Sequence, residues 1–136
     1  MTGKQTRTPP HGRHIRVLVA DRSPHFRETM RRVVIQYPGC VVVSEAGTLA
    51  EAVRLARSSR PAVALLDIDL VIGEPRARLR RIAAAFPDLH VFVMLNGESP
   101  YYRRAVSERW GYACIVKDQA ENELARVIST IRPAAA

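Results

Sequence analysis

Two aspartates and one lysine are the side chains of this sequence whose types and positions suggest chemistry. Asp21, Asp67 and Lys117 each directly follow a short apolar run. Two carboxylates beside an ammonium can hold a divalent cation through oxygen ligands and can supply an aspartyl nucleophile for phosphoryl transfer. Each of the three, taken singly, is also an ordinary polar strand end. Their chemistry therefore depends on whether the fold brings them together.

Short apolar runs alternate along the chain with longer segments in which apolar residues recur every three or four positions. The runs predict strands at Ile15–Ala20, Val41–Ala46, Ala62–Leu66, Val91–Leu95 and Cys114–Val116. The longer segments predict helices at Pro24–Tyr37, Thr48–Ser58, Arg76–Phe86, Pro100–Arg109 and Glu121–Ile131. The chain therefore consists of consecutive strand–helix units.

Strands that are almost entirely apolar and alternate with amphipathic helices predict a parallel sheet covered on both faces. The five units predict an α/β fold, a flavodoxin-like three-layer (βα)5 sandwich. Its five-stranded parallel sheet is expected to have the order 2-1-3-4-5. In such a sheet, sites form outside the carboxyl ends of the strands. We therefore expect Asp21, Asp67 and Lys117 to meet at that edge.

The composition limits the class of protein. The 136 residues suit one globular domain, with residues 1–14 as a flexible basic tail, 15–132 as the folded domain and 133–136 as a short C-terminal tail. No apolar run approaches the roughly 18 residues of a membrane helix, and residues 1–14 lack the apolar core of a signal peptide. We therefore expect a cytoplasmic protein that does not contact a membrane.

The two cysteines have neither the spacing of a zinc site nor that of a disulfide framework. We expect both, Cys40 and Cys114, to be buried free thiols. The net charge of +8 makes nucleic acid the first class of partner to test.

Three segments of the sequence resemble a known family. RVLVADRSPHFRETMRRVV, ALLDIDL and CIVKD are similar to the first strand and helix, the phospho-acceptor strand and the last strand of the receiver domain of two-component response regulators, the CheY-like family. The resemblance covers about Ile15 to Arg132 and is greatest to receivers of regulators that bind DNA through a helix-turn-helix. It implies the CheY-like form of the flavodoxin-like fold.

The resemblance also implies roles for individual residues. Asp67 matches the phosphorylated aspartate, Lys117 the lysine that contacts the phosphoryl group, and Asp21 the first member of an acidic pair. The position of Asp69 offers its backbone carbonyl to magnesium in the family, so its side chain need not matter. Any magnesium would thus be held by Asp21, Asp67 and Asp69.

The second acidic position, a direct magnesium ligand in the family, is Arg22 here. A guanidinium has only donors and stays charged, so it cannot ligate a cation and should repel one. Arg22 could lie against Asp67 as a bidentate pair in the space that the metal would use, or could point into solvent. Either arrangement removes a ligand, so we expect weak or absent magnesium binding and no other cofactor.

Further positions of the family's switch are also altered. The Ser or Thr whose hydroxyl bonds the phosphoryl group falls at Leu95, which has no donor. The aromatic residue three positions before the lysine is replaced by Cys114, and Val71 stands where the loop after the acceptor usually has proline. These changes predict an atypical, stand-alone receiver that acts through protein contacts, is not an enzyme and does not undergo ordinary magnesium-dependent phosphorylation.

Alternative functions are left open by the sequence. The receiver could still accept a phosphoryl group on Asp67 from a histidine kinase. The segment LLDIDLV also resembles the first motif of haloacid-dehalogenase-type phosphatases, with Asp67 as nucleophile and Asp69 as acid and base, but that motif normally opens its fold. Nucleic-acid binding is a lesser alternative, since we do not expect DNA binding without an effector domain.

The expected partner is a protein, either a histidine kinase or another regulator, and a homodimer is a further possibility. Members of the family commonly dock through the fourth helix, fifth strand and fifth helix. That surface would offer Tyr101, Tyr102 and Trp110, of residue types that are enriched in binding hot spots. The same aromatic side chains could instead pack into the core.

Overall fold

A parallel sheet forms the centre of the molecule. The structure, a computed structural model, describes residues 14–97 and 100–131. Within those residues the strands are β1 (Ile15–Ala20), β2 (Cys40–Ala46), β3 (Val63–Asp67), β4 (His90–Leu95) and β5 (Ala113–Val116). Their order is β2-β1-β3-β4-β5, and all paired strands are parallel. The predicted fold class and strand order are confirmed.

Helices follow the strands along the chain. They are α1 (Pro24–Val34), α2 (Leu49–Ser59), α3 (Pro75–Ala85), α4 (Pro100–Arg104) and α5 (Ala120–Ile131). Short 3-10 turns at Ile68–Val71 and Lys117–Gln119 follow β3 and β5. The predicted tails lie, apart from His14, outside the described residues, so the division into a domain and two tails stays a prediction.

Two predicted helices end earlier than expected. The first was predicted to reach Tyr37 but ends at Val34, because the chain turns ahead of Pro38 and Tyr37 instead donates its hydroxyl to the backbone oxygen of Glu121, at 3.1 Å. The fourth was predicted to extend to Arg109 as one α-helix. It continues beyond Arg104 as a π-helical turn, Ala105–Arg109.

The apolar residues form a core on each face of the sheet. On one face, α1 and α5 bury Met30, Val34, Leu124 and Ile128 against the strands. On the other face, α2 and α3 bury Ala52, Ala56, Leu79 and Ile82. Cys40 and Cys114 are buried free thiols, one in each core, as predicted.

The strand register places the carboxyl ends of four neighbouring strands side by side. Ala20 of β1 is opposite Leu66 of β3, and Leu95 of β4 is opposite Val116 of β5. Asp21, Asp67 and Lys117 stand at the ends of β1, β3 and β5 and therefore share one edge of the sheet. This edge is the site predicted from the sequence.

Candidate functional site

Lys117 joins the two buried carboxylates at this edge. Its Nζ lies 2.5 Å from Asp21 Oδ2 and 3.4 Å from Asp67 Oδ1. It also lies 4.6 Å from the centre of the Phe26 ring, within the range of a cation–π contact. The sequence correctly predicted that Asp21, Asp67 and Lys117 converge. One ammonium therefore neutralises part of the charge of two carboxylates that are almost fully buried.

Asp21 is held by the start of α1. Its Oδ1 accepts a hydrogen bond from Ser23 N at 2.8 Å, and Arg27 Nη1 donates to its backbone oxygen at 2.6 Å. Ser23 caps the helix, with its Oγ accepting from Phe26 N at 3.1 Å and Pro24 at the first helical position. The helix start thus fixes the position of the Asp21 carboxylate.

Asp67 ends the central strand β3 with a buried carboxylate. Its Oδ1 accepts a hydrogen bond from Asp69 N at 3.2 Å, which closes the 3-10 turn. Burial raises the pKa of Asp67, and the negative charge of Asp21 adds to this effect. The Asp69 N–H and the Lys117 ammonium oppose the rise. Asp67 is therefore a carboxylate whose charged form is costly in this environment.

Arg22 extends across the mouth of the pocket and contacts Asp69. Its Nη2 lies 3.3 Å from Asp69 Oδ2, and Asn96 Nδ2 donates to the same oxygen at 3.2 Å. Of the two arrangements left open for Arg22, the pair with Asp67 does not form, and the largely solvated side chain contacts Asp69 instead. Asp67 is buried and already bonded to Lys117 and Asp69 N, whereas the Asp69 side chain is 28% exposed and the Arg22 side chain 68% exposed. The guanidinium therefore pairs with the carboxylate that it can reach while it remains hydrated.

Asp69 also differs from expectation, since its side chain does take part in the site. It connects the loop after β1, through Arg22, with the loop after β4, through Asn96. We name these three residues, Arg22, Asp69 and Asn96, the polar bridge.

Apolar side chains occupy the positions where the resemblance places the switch. Leu95 is 1% exposed and belongs to the core against α2 and α3, as does Val71. Cys114 is buried, its Sγ donates to Tyr112 O at 3.7 Å, and burial raises the pKa of its thiol to about 11. The site thus has carboxylates and cations at its mouth but an apolar residue at the place of the hydroxyl.

One or more carboxylate oxygens of Asp21, Asp67 and Asp69 contact positive groups or N–H donors. Lys117 contacts Asp21 and Asp67, while Arg22 and Asn96 contact Asp69. Residues 14–97 and 100–131 contain no group of three His, Cys, Asp or Glu side chains placed to hold a metal ion. Arg22 supplies no oxygen ligand at the position where the family has its second carboxylate.

Known proteins and structures are similar to this chain. No protein-family model matches it. A protein-glutamate methylesterase/protein-glutamine glutaminase of Anaeromyxobacter dehalogenans is 40% identical over 95 residues, which are 70% of this chain and 28% of that protein. The DNA-binding transcriptional activator DevR/DosR of Mycobacterium tuberculosis is 28% identical over 119 residues, 86% of this chain and 54% of that protein. The chain thus spans between about a fifth and slightly more than half of the length of the curated relatives it matches.

This chain matches two solved structures over almost their whole length. The response regulator domain of Thermotoga maritima CheB has 25% identity and a TM-score of 0.70 over 88% of this chain and 96% of that chain. The signal receiver domain of the putative response regulator NarL from Mycobacterium tuberculosis has 25% identity and a TM-score of 0.71 over 86% of this chain and 94% of that chain. This chain carries a receiver domain of the two-component response regulators. No helix among the receiver's described residues has the length and apolar character to cross a membrane.

The aromatic residues predicted to form an interaction surface are exposed to different degrees. Tyr101 of α4 is 68% exposed. Tyr102 and Trp110 are half-buried and pack edge to face, with ring centres 6.1 Å apart, against the core of the receiver. The surface therefore has one exposed aromatic side chain, supported by two that also contribute to the core.

Two contacts of the receiver site were missed in the sequence. Phe26 lies in the predicted first helix and has no sign of a role in the sequence, but its ring contacts Lys117. Asn96 had no assigned role, although it directly follows the switch position and contacts Asp69. A polar residue next to a strand end was a signal that could have identified Asn96. Nothing in the spacing indicates that Phe26 lies under the lysine.

Proposed function

We propose that this receiver acts in signal transduction through protein contacts, without ordinary magnesium-dependent phosphorylation and without enzymatic activity of its own. The observation that carries the proposal is the contact of Arg22 with Asp69 across the pocket mouth, at 3.3 Å. The family has a magnesium-binding carboxylate at the position of Arg22. Here a ligand is replaced by a fixed positive charge.

The free energy of metal binding is expected to be unfavourable for two reasons. Magnesium requires near-octahedral oxygen ligation at roughly 2.0–2.1 Å and releases its water reluctantly. To reach these carboxylates it would have to displace Lys117 from Asp21 and would meet the charge of Arg22. The displaced Lys117 and the nearby Arg22 would both remain close to the metal ion and repel it.

The response to a phosphoryl group is also expected to be impaired. Leu95 lies in the core with no hydrogen-bond donor, so it has nothing to offer a phosphoryl oxygen. Cys114 has no ring that could exchange between buried and exposed positions. A receiver of this kind would signal through its abundance or its association with another protein. The partner would be a histidine kinase, another regulator or a second copy of this chain.

A phosphorylation-competent receiver is the second candidate function. The observation in its favour is the retained Asp67, with Lys117 Nζ 3.4 Å from its Oδ1. In this case a histidine kinase would have to supply the positioning that the metal normally provides. Nucleic-acid binding is supported only by the net charge of +8.

A magnesium titration of the receiver and its Arg22→Asp variant tests the proposal. We expect no saturable binding by the wild type at millimolar magnesium, monitored by amide chemical shifts around the pocket. Arg22→Asp should bind at least about tenfold more tightly, because it removes the repulsive charge and restores a ligand. Arg104→Asp is the matched control, with the same charge change on the exposed side of α4. Equal magnesium affinity of wild type and Arg22→Asp would contradict the proposal.

A further inference from the structure

A groove runs between α2 and α3, on the face of the sheet opposite to α1 and α5. It contains a cavity of about 570 Å³, whose floor is apolar. The floor residues are Leu49, Val53, Ile82 and Phe86. A second cavity of about 350 Å³ shares Ala85 and Phe86 with the first and extends the groove towards Leu89. The receiver thus has an elongated apolar channel apart from the Asp67 pocket.

Arginines line both sides of this groove. Arg54 and Arg57 belong to α2, and Arg78 and Arg81 belong to α3. Arg54 lies 3.9 Å from Glu51, a distance at which an exposed pair contributes little. Among residues 14–97 and 100–131, the other three form no ion pair within 4.0 Å.

The groove is also preorganised on its α2 side. The Arg57 guanidinium carbon lies 6.0 Å from the centre of the Phe86 ring, at the outer limit of a cation–π contact, and both residues line the groove. A carboxylate that reaches Arg57 would therefore find it close to an apolar surface, where charge-assisted hydrogen bonds are strong.

We propose that this groove binds an acidic amphipathic helix of a partner protein. The apolar floor would receive the leucine-like side chains of such a helix, spaced at i, i+3, i+4 and i+7. The arginines on the two sides would pair with carboxylates that flank the apolar stripe. The proposal does not depend on magnesium or on Asp67, because neither contributes to the groove.

Other occupants fit these features less well. Nucleic acid would contact the arginines through its phosphate backbone but would leave the apolar floor exposed to water. Residues 1–13 of this chain carry Lys4, Arg7 and Arg13 and no acidic residue, so their charge does not complement the groove. A second copy of a chain with a net charge of +8 would be repelled by the same arginines.

The experiment is a titration of the full chain with a set of designed acidic helical peptides. The peptides carry leucines at the spacing above, flanked by glutamates, and differ in the length of the leucine stripe. Peptides of the same composition in shuffled order, peptides with lysine for glutamate, and a DNA duplex are the comparison probes. Binding is measured by fluorescence anisotropy, and its place by amide chemical shifts.

Two variants of the receiver test the two features separately. Arg57→Glu/Arg81→Glu reverses charge at the groove, with Arg104→Glu/Arg126→Glu as a control that makes the same charge change elsewhere on exposed helix positions. Ala85→Trp fills the groove without altering charge, and Ala84→Trp places the same side chain one position away. All six substituted positions, four arginines and two alanines, are exposed, so the fold should be retained.

We expect ordered acidic peptides to shift the amides of α2 and α3 and to bind at least tenfold more tightly than shuffled ones. Arg57→Glu/Arg81→Glu and Ala85→Trp should each weaken binding at least tenfold, and the controls less than twofold. Absence of binding by every acidic peptide, equal binding of ordered and shuffled peptides, or binding of DNA alone would overturn the proposal.

Discussion

Arg22 Nη2 lies 3.3 Å from Asp69 Oδ2, so the guanidinium that replaces a family carboxylate contacts the partly exposed Asp69 and not the buried Asp67. Asp67 is left to Lys117 and to a backbone N–H. The pocket thus has separate inner and outer charge pairs. The inner pairs are buried and the outer one is solvated, and the two should differ in what they contribute to stability.

The outer pair should contribute little to the stability of the fold. We expect Arg22→Ala to lower the free energy of unfolding by less than about 1 kcal/mol, because an exposed ion pair is screened by water. Urea denaturation at pH 7 measures the change. Arg32→Ala removes a comparably exposed pair, with Glu28 at 2.7 Å, and serves as the control. A much larger loss for Arg22→Ala than for Arg32→Ala would show that the polar bridge is structural.

The inner pair of Lys117 with Asp21 should contribute much more. Lys117→Met leaves the buried Asp21 without its counter-charge and should lower the free energy of unfolding by about 3 kcal/mol at pH 7. Asp21→Asn in the same chain should restore a substantial part of that loss, since the amide can still accept from Ser23 N. A double-mutant cycle by urea denaturation measures the coupling. Strictly additive effects of the two substitutions would contradict the pairing.

Asp67 should make stability depend on pH. Its pKa is raised in the folded state above the ordinary value of 3.8, so the folded protein binds this proton more tightly than the unfolded chain. The free energy of unfolding should therefore fall as pH rises from about 4 through the raised pKa. Asp67→Asn removes this cost and should be more stable than wild type at pH 7.

Denaturation curves of wild type and Asp67→Asn over a pH series test this sign. The difference between them should close only as the pH falls below about 3, where Asp67 is protonated in both the folded protein and the unfolded chain. Asp88→Asn, at an exposed position, is the control. A wild type that is more stable than Asp67→Asn at pH 7 would mean that the contact with Lys117 outweighs burial.

Most of the fold followed from the periodicity of apolar residues. The strand predicted at Ile15–Ala20 has those bounds in the structure, and the others agree within one or two residues. The end of α1 was missed because Tyr37 continues the apolar spacing of the helix. Its contact with Glu121 lies 84 positions away in sequence and has no local signal.

The site was predictable where it depends on strand ends and not where it depends on side-chain reach. Asp21, Asp67 and Lys117 converge because parallel strands end at one edge. The choice of Arg22 between Asp67 and Asp69 is decided by relative burial, which spacing does not encode. The contact of the Phe26 ring with Lys117 likewise depends on side-chain reach, which spacing does not encode. Asn96 could have been identified from its position directly after a strand end.

Cys114 should be unreactive in the folded receiver. With a pKa of about 11, its thiolate is scarce at pH 8, and the residue is 8% exposed. We expect alkylation by iodoacetamide to be at least about 100-fold slower than in the urea-unfolded chain. Peptide mass mapping of the modified position provides the measurement, with the unfolded chain as the control. Comparable rates in the two states would contradict the burial of this thiol.

Intact-mass analysis after incubation with magnesium and a small phosphodonor tests the central claim most directly. We predict that the wild type gains no phosphoryl group under conditions that label a receiver with an intact acidic pair. The Arg22→Asp/Leu95→Thr variant should gain one, and adding Asp67→Asn to that variant should abolish it. A labile phosphoryl adduct in high yield on the wild type, absent from Asp67→Asn, would contradict the account.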